Sequence, residues 1–147
     1  FNDRVYQGGL TYNAHPVSLA AAIANIQVMQ QDKLVDHAAT MAPILNRFLN
    51  DLGENHRSVG EVRSIGLFGV IELVRDRHTK EPMAPFNGFS PEMVALRKFV
   101  LDQGLFLYTH WHTILIIPPL NTTKEDLQEG FSILDKALEI TDQAVRD

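Results

Sequence analysis

The sequence predicts an α/β fold of two layers, in which a mainly antiparallel sheet of about four strands carries helices on one face. Three observations lead there. Apolar residues recur at helical spacing in two segments, around 34–52 and 127–140, and Ser90-Pro91-Glu92 opens a further helix that runs to Gln103. Four short apolar runs come in two consecutive pairs, each pair parted by residues that favour a turn. The order of elements is helix, helix, strand, strand, helix, strand, strand, helix, which places helices together against one sheet face. With 147 residues, 45% of them hydrophobic and 21% charged, the chain is long enough for one packed core of ordinary composition.

The elements follow in order. Gly8 and Gly9 allow a tight turn or close approach to a ligand, Thr11 adds a hydroxyl, and Pro16 suits a first helical position. A loop of that kind running into a helix N-terminus either holds an anion such as phosphate or simply caps the helix. The helix itself, Val17 to Met29, is apolar nearly all round and rich in alanine, the pattern of a helix enclosed by neighbours. Leu34, Val35, Ala38, Met41, Leu45, Phe48, Leu49 and Leu52 then form a one-sided stripe. Asp32 is the expected cap of that second helix and Gly53 its expected stop, with Pro43 a possible local bend.

Val59–Ile65 and Leu67–Val74 read as consecutive strands turning at Gly66. Apolar side chains for both faces make the second of them central. Asp76 to Gly88, with its charges, prolines and glycine, reads as a loop, and Arg75–His78 as its solvated edge. Glu72, inside an apolar strand, needs a partner, for which Arg63 and Arg75 are the candidates. Ser90-Pro91-Glu92 starts a helix that ends near Gln103-Gly104. Leu105–Tyr108 and Thr113–Ile117 read as short strands around Thr109-His110-Trp111-His112, and Pro118-Pro119 stops the second. Thr122 or Thr123 caps the last helix.

Several function classes are disfavoured at once. A formal charge of −5 gives no basic footprint for nucleic acid or a membrane surface. No cysteine means no disulfide framework and no thiolate metal site, as in a cytoplasmic protein. Glutamines interrupt the longest apolar run before it reaches a membrane-spanning length. His110 and His112 would share one side of a strand and could chelate a metal, but no third ligand lies near in sequence. A metal-dependent hydrolase is therefore a remote alternative.

The run GGLTYNAHPVSLAAA, from Gly8 to Ala22, resembles the segment just past the cofactor lysine of the class III aminotransferases. These are pyridoxal-phosphate enzymes of fold type I that include the ω-amino-acid transaminases. VGEVRSIGLFGVIELVRDR, from Val59 to Arg77, and GLFLYTHWHTILIIPPL, from Gly104 to Leu120, match the same family in the same order. The resemblance implies that residues 1–31 form the cofactor-phosphate loop and junction helix, and residues 32–147 the small C-terminal domain. It implies that Thr11 reaches the phosphate of the partner subunit's cofactor in a homodimer. Tyr12 either lines the pocket beside it or packs; Gly8 and Gly9 serve the turn and His15 the helix entrance.

The same resemblance locates what the chain lacks. A pyridoxal-phosphate enzyme needs a lysine amine and an acidic partner for the pyridine nitrogen. Lys33, Lys80, Lys98, Lys124 and Lys136 all lie outside the family's lysine context, so lysine and aspartate are expected upstream of Phe1. The chain alone is expected to be inactive and not to retain the cofactor. Tyr108 stands where many members have an arginine for a substrate carboxylate, and a phenol cannot reproduce that two-pronged hydrogen bond. Trp111 with His110 and His112 either shapes a pocket for an ω-amino acid or a sulfonate, or merely covers the core. The implied reaction moves an amino group from an ω-amino acid or amine to pyruvate or 2-oxoglutarate. The alternative is a non-catalytic α/β module for small-molecule binding or dimerisation.

Overall fold

The computed structural model describes residues 2–5, 8–9, 11 and 13–146. The chain divides into two compact units, residues 1–35 and 36–147. In the first, α1 (Pro16–Gln31) begins on a proline, as expected, and runs through an alanine-rich stretch that favours helix. Two residues end it. The Asp32 amide donates to the Val28 carbonyl at 2.9 Å, and Lys33 adopts a left-handed φ of 50°. Asp32 thus closes α1 and does not open the next helix, because only this two-residue turn separates them. No residue of α1 is buried, and Val17, Leu19, Ile23, Ile26 and Val28 are all exposed.

Helix α2 (Leu34–Asn55) buries Met41, Leu45, Leu49 and Leu52 along one stripe in the second unit. It runs through Gly53, where a stop was expected. The reason is a substitute cap: Arg77 Nη2 donates to the carbonyls of Gly53 at 2.7 Å and His56 at 2.6 Å. A guanidinium that collects terminal carbonyls extends a helix past a residue that would otherwise end it. Arg77, exposed as expected of a loop edge, therefore also belongs to the frame.

The strands are β1 (Val59–Ile65), β2 (Phe68–Asp76), β3 (Glu81–Pro82), β4 (Tyr108–His110) and β5 (Thr113–Ile116), all antiparallel. The main order is β1-β2-β5-β4, with β3 paired to the far end of β2. β2 is central, as its two apolar faces predict. Gly66, at φ 58°, supplies the left-handed residue of the two-residue β1–β2 turn. Gly60 lies at a bulge where a Cβ would fall 2.6 Å from Val74 Cγ1, so no larger residue fits without displacing that buried side chain.

Two sequence expectations shift. The stretch read as a loop contains β3, a two-residue pairing too short to show periodicity. The fourth strand starts at Tyr108, because the residues before it finish a helix. After α3 (Pro91–Asp102), Gly104 turns left-handed at φ 85° and donates to Leu101, while the Leu105 amide donates to Val100 at 2.9 Å. That pair of bonds commits Leu105 to closing α3. Ser90 caps the start of α3 as expected. Thr123, one of the two candidates, caps α4 (Lys124–Asp142) in a reciprocal pair with Asp126.

Gly69, Ile71, Leu73, Ile114 and Ile116 are buried, while Val70, Glu72, Thr113 and Leu115 between them are half-exposed. The alternation means that α2, α3 and α4 cover one sheet face; Leu45, Leu96 and Leu138 join its core, and Phe48 stacks on Phe131 at 5.1 Å. One polar latch fixes α4. Buried His56 bonds Asp142 through Nδ1 at 2.7 Å and Asp135 through Nε2 at 3.0 Å, and the Ser58 amide donates to Asp142 at 2.8 Å. Ser58 and Thr141 hydroxyls meet at 2.8 Å.

Burial, the largest single influence on His56, pulls its pKa down. The hydrogen bonds and charges of Asp135 and Asp142 together outweigh it and raise the value above 6.5. With the folded value above the unfolded one, the contribution is fully present below pH 6.5 and fades as pH rises through the folded pKa. His56→Gln, neutral throughout, is expected to cost about 1–2 kcal/mol at pH 6 and clearly less at pH 8.5. Urea denaturation followed by circular dichroism at the two pH values measures the difference.

Candidate functional site

Within the first unit, the loop before α1 is open. Thr11 is exposed, and a side chain built on Gly9 would meet nothing within 4 Å. Ala14 is left-handed at φ 58°, which swings the chain into His15 and α1. His15 occupies the N-cap position without a side-chain cap, and the first helical bond runs from the Leu19 amide to the His15 carbonyl at 3.1 Å. The amides of Val17 and Ser18 precede that bond. A hydroxyl, open backbone and first-turn amides are the donor set that suits a phosphate dianion. Tyr12 lies outside the described residues.

In the second unit, strand register lays out the sheet face that the helices leave uncovered. Residues paired across antiparallel strands share a face. One row therefore reads Arg63, Val70, Leu115, Tyr108, and the next reads Glu61, Glu72, Thr113, His110. Tyr108 and His110, singled out from sequence, thus stand side by side on the open face, with ring centroids 6.2 Å apart. Glu72 finds Arg63, one of its two expected partners, and Arg63 also holds Glu61 at 2.8 Å. The other candidate, Arg75, pairs with Glu92 at 2.8 Å and holds that carboxyl below its usual range.

The aromatic row continues beyond the strand. Trp111 stacks on His110 at 3.9 Å between centroids, and Phe86 lies 4.2 Å from Trp111. Trp111 sits at φ 54° in the two-residue β4–β5 turn. For a bulky residue that conformation costs about 1–3 kcal/mol and persists only where surrounding contacts enforce it. His112 occupies the second turn position, not a strand, so the same-side geometry of an i, i+2 pair does not apply to it and His110. Its Nδ1 is buried without a hydrogen-bond partner among the described residues. Among those residues, no group of three His, Cys, Asp or Glu side chains could hold a metal ion.

Beside the β4 edge lies a mainly apolar groove of about 410 Å³. Leu105 to Tyr108, the run from Leu115 to Pro119, and Leu127, Phe131 and Leu134 of α4 line it. Tyr108 borders both groove and aromatic row. Phe86 is the participant that sequence reasoning missed. It lies in a stretch read as loop, and its one available signal was being a large aromatic between Pro85 and Asn87 without an apolar period to bury it.

The family description "Aminotransferase class-III" matches residues 3–138. A solved structure of taurine:2-oxoglutarate aminotransferase from Bifidobacterium kashiwanohense, in complex with pyridoxal phosphate and glutamate, superposes with a TM-score of 0.88 at 36% identity. The match covers 97% of this chain and 32% of that one. Ethanolamine-phosphate phospho-lyase homolog 1 of Caenorhabditis elegans is 34% identical over 87% of this chain and 27% of its own length. A putrescine–pyruvate aminotransferase of Pseudomonas aeruginosa is 31% identical over 93% of this chain and 29% of its own length. The chain spans less than a third of the length of these relatives.

The left-handed turn at Trp111 has a measurable signature. A glycine there loses the ring but relieves the backbone, whereas an alanine loses the ring and keeps the strain. Trp111→Gly is expected to be more stable than Trp111→Ala by about 1 kcal/mol, measured as the difference in chemical-denaturation midpoints.

Proposed function

The chain belongs to the class III aminotransferase family, and from that premise we propose that it is the C-terminal part of a homodimeric pyridoxal-phosphate enzyme. The reaction is transfer of an amino group from an ω-amino acid or amine to a 2-oxo acid, pyruvate or 2-oxoglutarate. The observation that carries this reading is the exposed Thr11 in the loop that runs directly into the first turn of α1.

Pyridoxal phosphate supplies the electron sink for amino transfer when bound. Thr11 would hold the phosphate of the partner subunit's cofactor through the hydroxyl, with the loop and first-turn amides beside it; Tyr12 would flank that contact. Tyr108, His110 and Trp111 would bound the donor's non-reacting end and keep water from it. Three of the five lysines are engaged locally, which supports a cofactor lysine elsewhere. Lys80 donates to the Gly60 carbonyl, Lys98 pairs with Asp102, and Lys33 sits in the α1–α2 turn. In this reading the reactive amine and the pyridine-facing carboxylate belong to the rest of the enzyme, and the chain alone is inactive.

The exposed aliphatic face of α1 supports a part that is covered in a larger assembly. A stand-alone binding module would need that helix wrapped by its own chain. Size-exclusion with light scattering separates the two: self-association supports the first reading, and a clean monomer without exposed apolar surface supports the second.

The direct test uses the full-length protein loaded with pyridoxal phosphate, an amine donor and pyruvate or 2-oxoglutarate. Chromatography is expected to show alanine or glutamate appearing, and the 147-residue chain is expected to form none. Release of phosphate from ethanolamine phosphate without any new amino acid would instead support the lyase chemistry named for the nematode relative. Thr11→Val is expected to weaken cofactor retention about tenfold, since a hydrogen bond to a charged group is worth about 1.5–3 kcal/mol. The visible absorbance of bound cofactor after dialysis reads this out.

A further inference from the structure

The open sheet face has a definite charge pattern. Its one cation in the two mapped rows, Arg63, is already held by Glu61 and Glu72. The segment from Gly104 to Thr123, which carries Tyr108, His110 and Trp111, contains no Lys, Arg, Asp or Glu. The segment from Met83 to Pro91, which delivers Phe86, contains none either. Two uncharged segments from distant parts of the chain thus meet as rings. Phe86 is 78% exposed, yet its ring lies 4.2 Å from Trp111, itself held in a left-handed turn and stacked on His110.

Such a surface offers π-faces and hydrocarbon to whatever lies along it, and no free guanidinium or ammonium. An anionic group placed there would find the Tyr108 hydroxyl and the His110 ring as donors but no free guanidinium or ammonium to offset its desolvation. An alkyl or aryl group would be accepted at no such cost. Electrostatics and ring packing point the same way.

We propose that Phe86 and Trp111 form the specificity-determining end wall of the donor site, and that the preferred donor is an amine whose non-reacting end carries no carboxylate or sulfonate. This rests on the reading that Tyr108, His110 and Trp111 face the donor. Phe86 acts by contact with the donor's far end, and the two segments without Lys or Arg offer no cation to its carboxylated counterpart.

The test compares 1-aminopentane with 5-aminopentanoate, equal in reach and different in the terminal carboxylate, using full-length holoenzyme and one fixed 2-oxo acid. The wild type is expected to prefer 1-aminopentane at least tenfold in kcat/KM. Phe86→Ala is expected to raise KM for 1-aminopentane several-fold, more than it lowers kcat, because contact with the far end is lost. Tyr108→Arg, by placing a guanidinium on the open face, is expected to move the preference toward 5-aminopentanoate. Thermal melting checks that each variant is folded, which the exposure of Phe86 and Tyr108 favours. Preference of the wild type for 5-aminopentanoate, or a Phe86→Ala variant with unaltered KM for both donors, overturns the inference while leaving the aminotransferase reading intact. Turnover of neither donor, nor of any other amine, overturns that reading and the inference with it.

Discussion

A β-sheet has two faces, and this one is covered by helices on only one of them. Which side chains the second unit presents depends on that asymmetry. Ile71, Leu73, Ile114 and Ile116 anchor the sheet to α2, α3 and α4, so alternate residues must point the other way. A register slip by one residue would exchange the faces, sending Tyr108 and His110 into the core and Ile114 into the open. The burial of a few aliphatic side chains therefore fixes where the polar and aromatic ones stand.

The frame that holds this arrangement is closed at its ends by polar chemistry. Arg77 gathers the last carbonyls of α2, the left-handed Gly104 finishes α3, and Thr123 with Asp126 starts α4. His56, between Asp135 and Asp142, ties α4 back to the β1 entrance. Each device satisfies backbone or charged groups that would otherwise be costly to bury. By contrast, α1 has no buried residue, and the loop before it leaves Thr11 exposed. One unit is finished on its helical side; the other presents surface suited to being covered.

Much of this was legible in the residues. Helical spacing located α2 and α4, Ser90-Pro91 and Gly104 bounded α3, apolar runs located β1, β2 and β5, and Thr123 was one of two candidate caps for α4. The errors share a cause: groups far apart in sequence overrode a local signal. Gly53 reads as a stop until Arg77, from after β2, caps the helix beyond it. Leu105 reads as strand until the carbonyl of Val100 claims its amide. β3 is two residues long and has no period to detect. Tyr108 stood out because the resembling family often has arginine at that position, and His110 and Trp111 as the ring-bearing residues that follow it. Phe86 did not, because nothing in a loop's composition reveals which ring it will meet. The match of Glu72 with Arg63 required the β1–β2 register, which places them on one face.

In the proposed reading Thr11 meets the phosphate of the partner subunit's cofactor, and the open sheet face of the second unit, taken by itself, bounds the amine donor. The most direct measurement is a crystal structure of the full-length protein with pyridoxal phosphate and an unreactive amine analogue. The expected result puts the Thr11 hydroxyl within about 3.2 Å of a phosphate oxygen, and the Tyr108 or His110 ring within about 4.5 Å of the analogue. A structure in which another part of the polypeptide covers the open face, and the analogue touches neither ring, would contradict it.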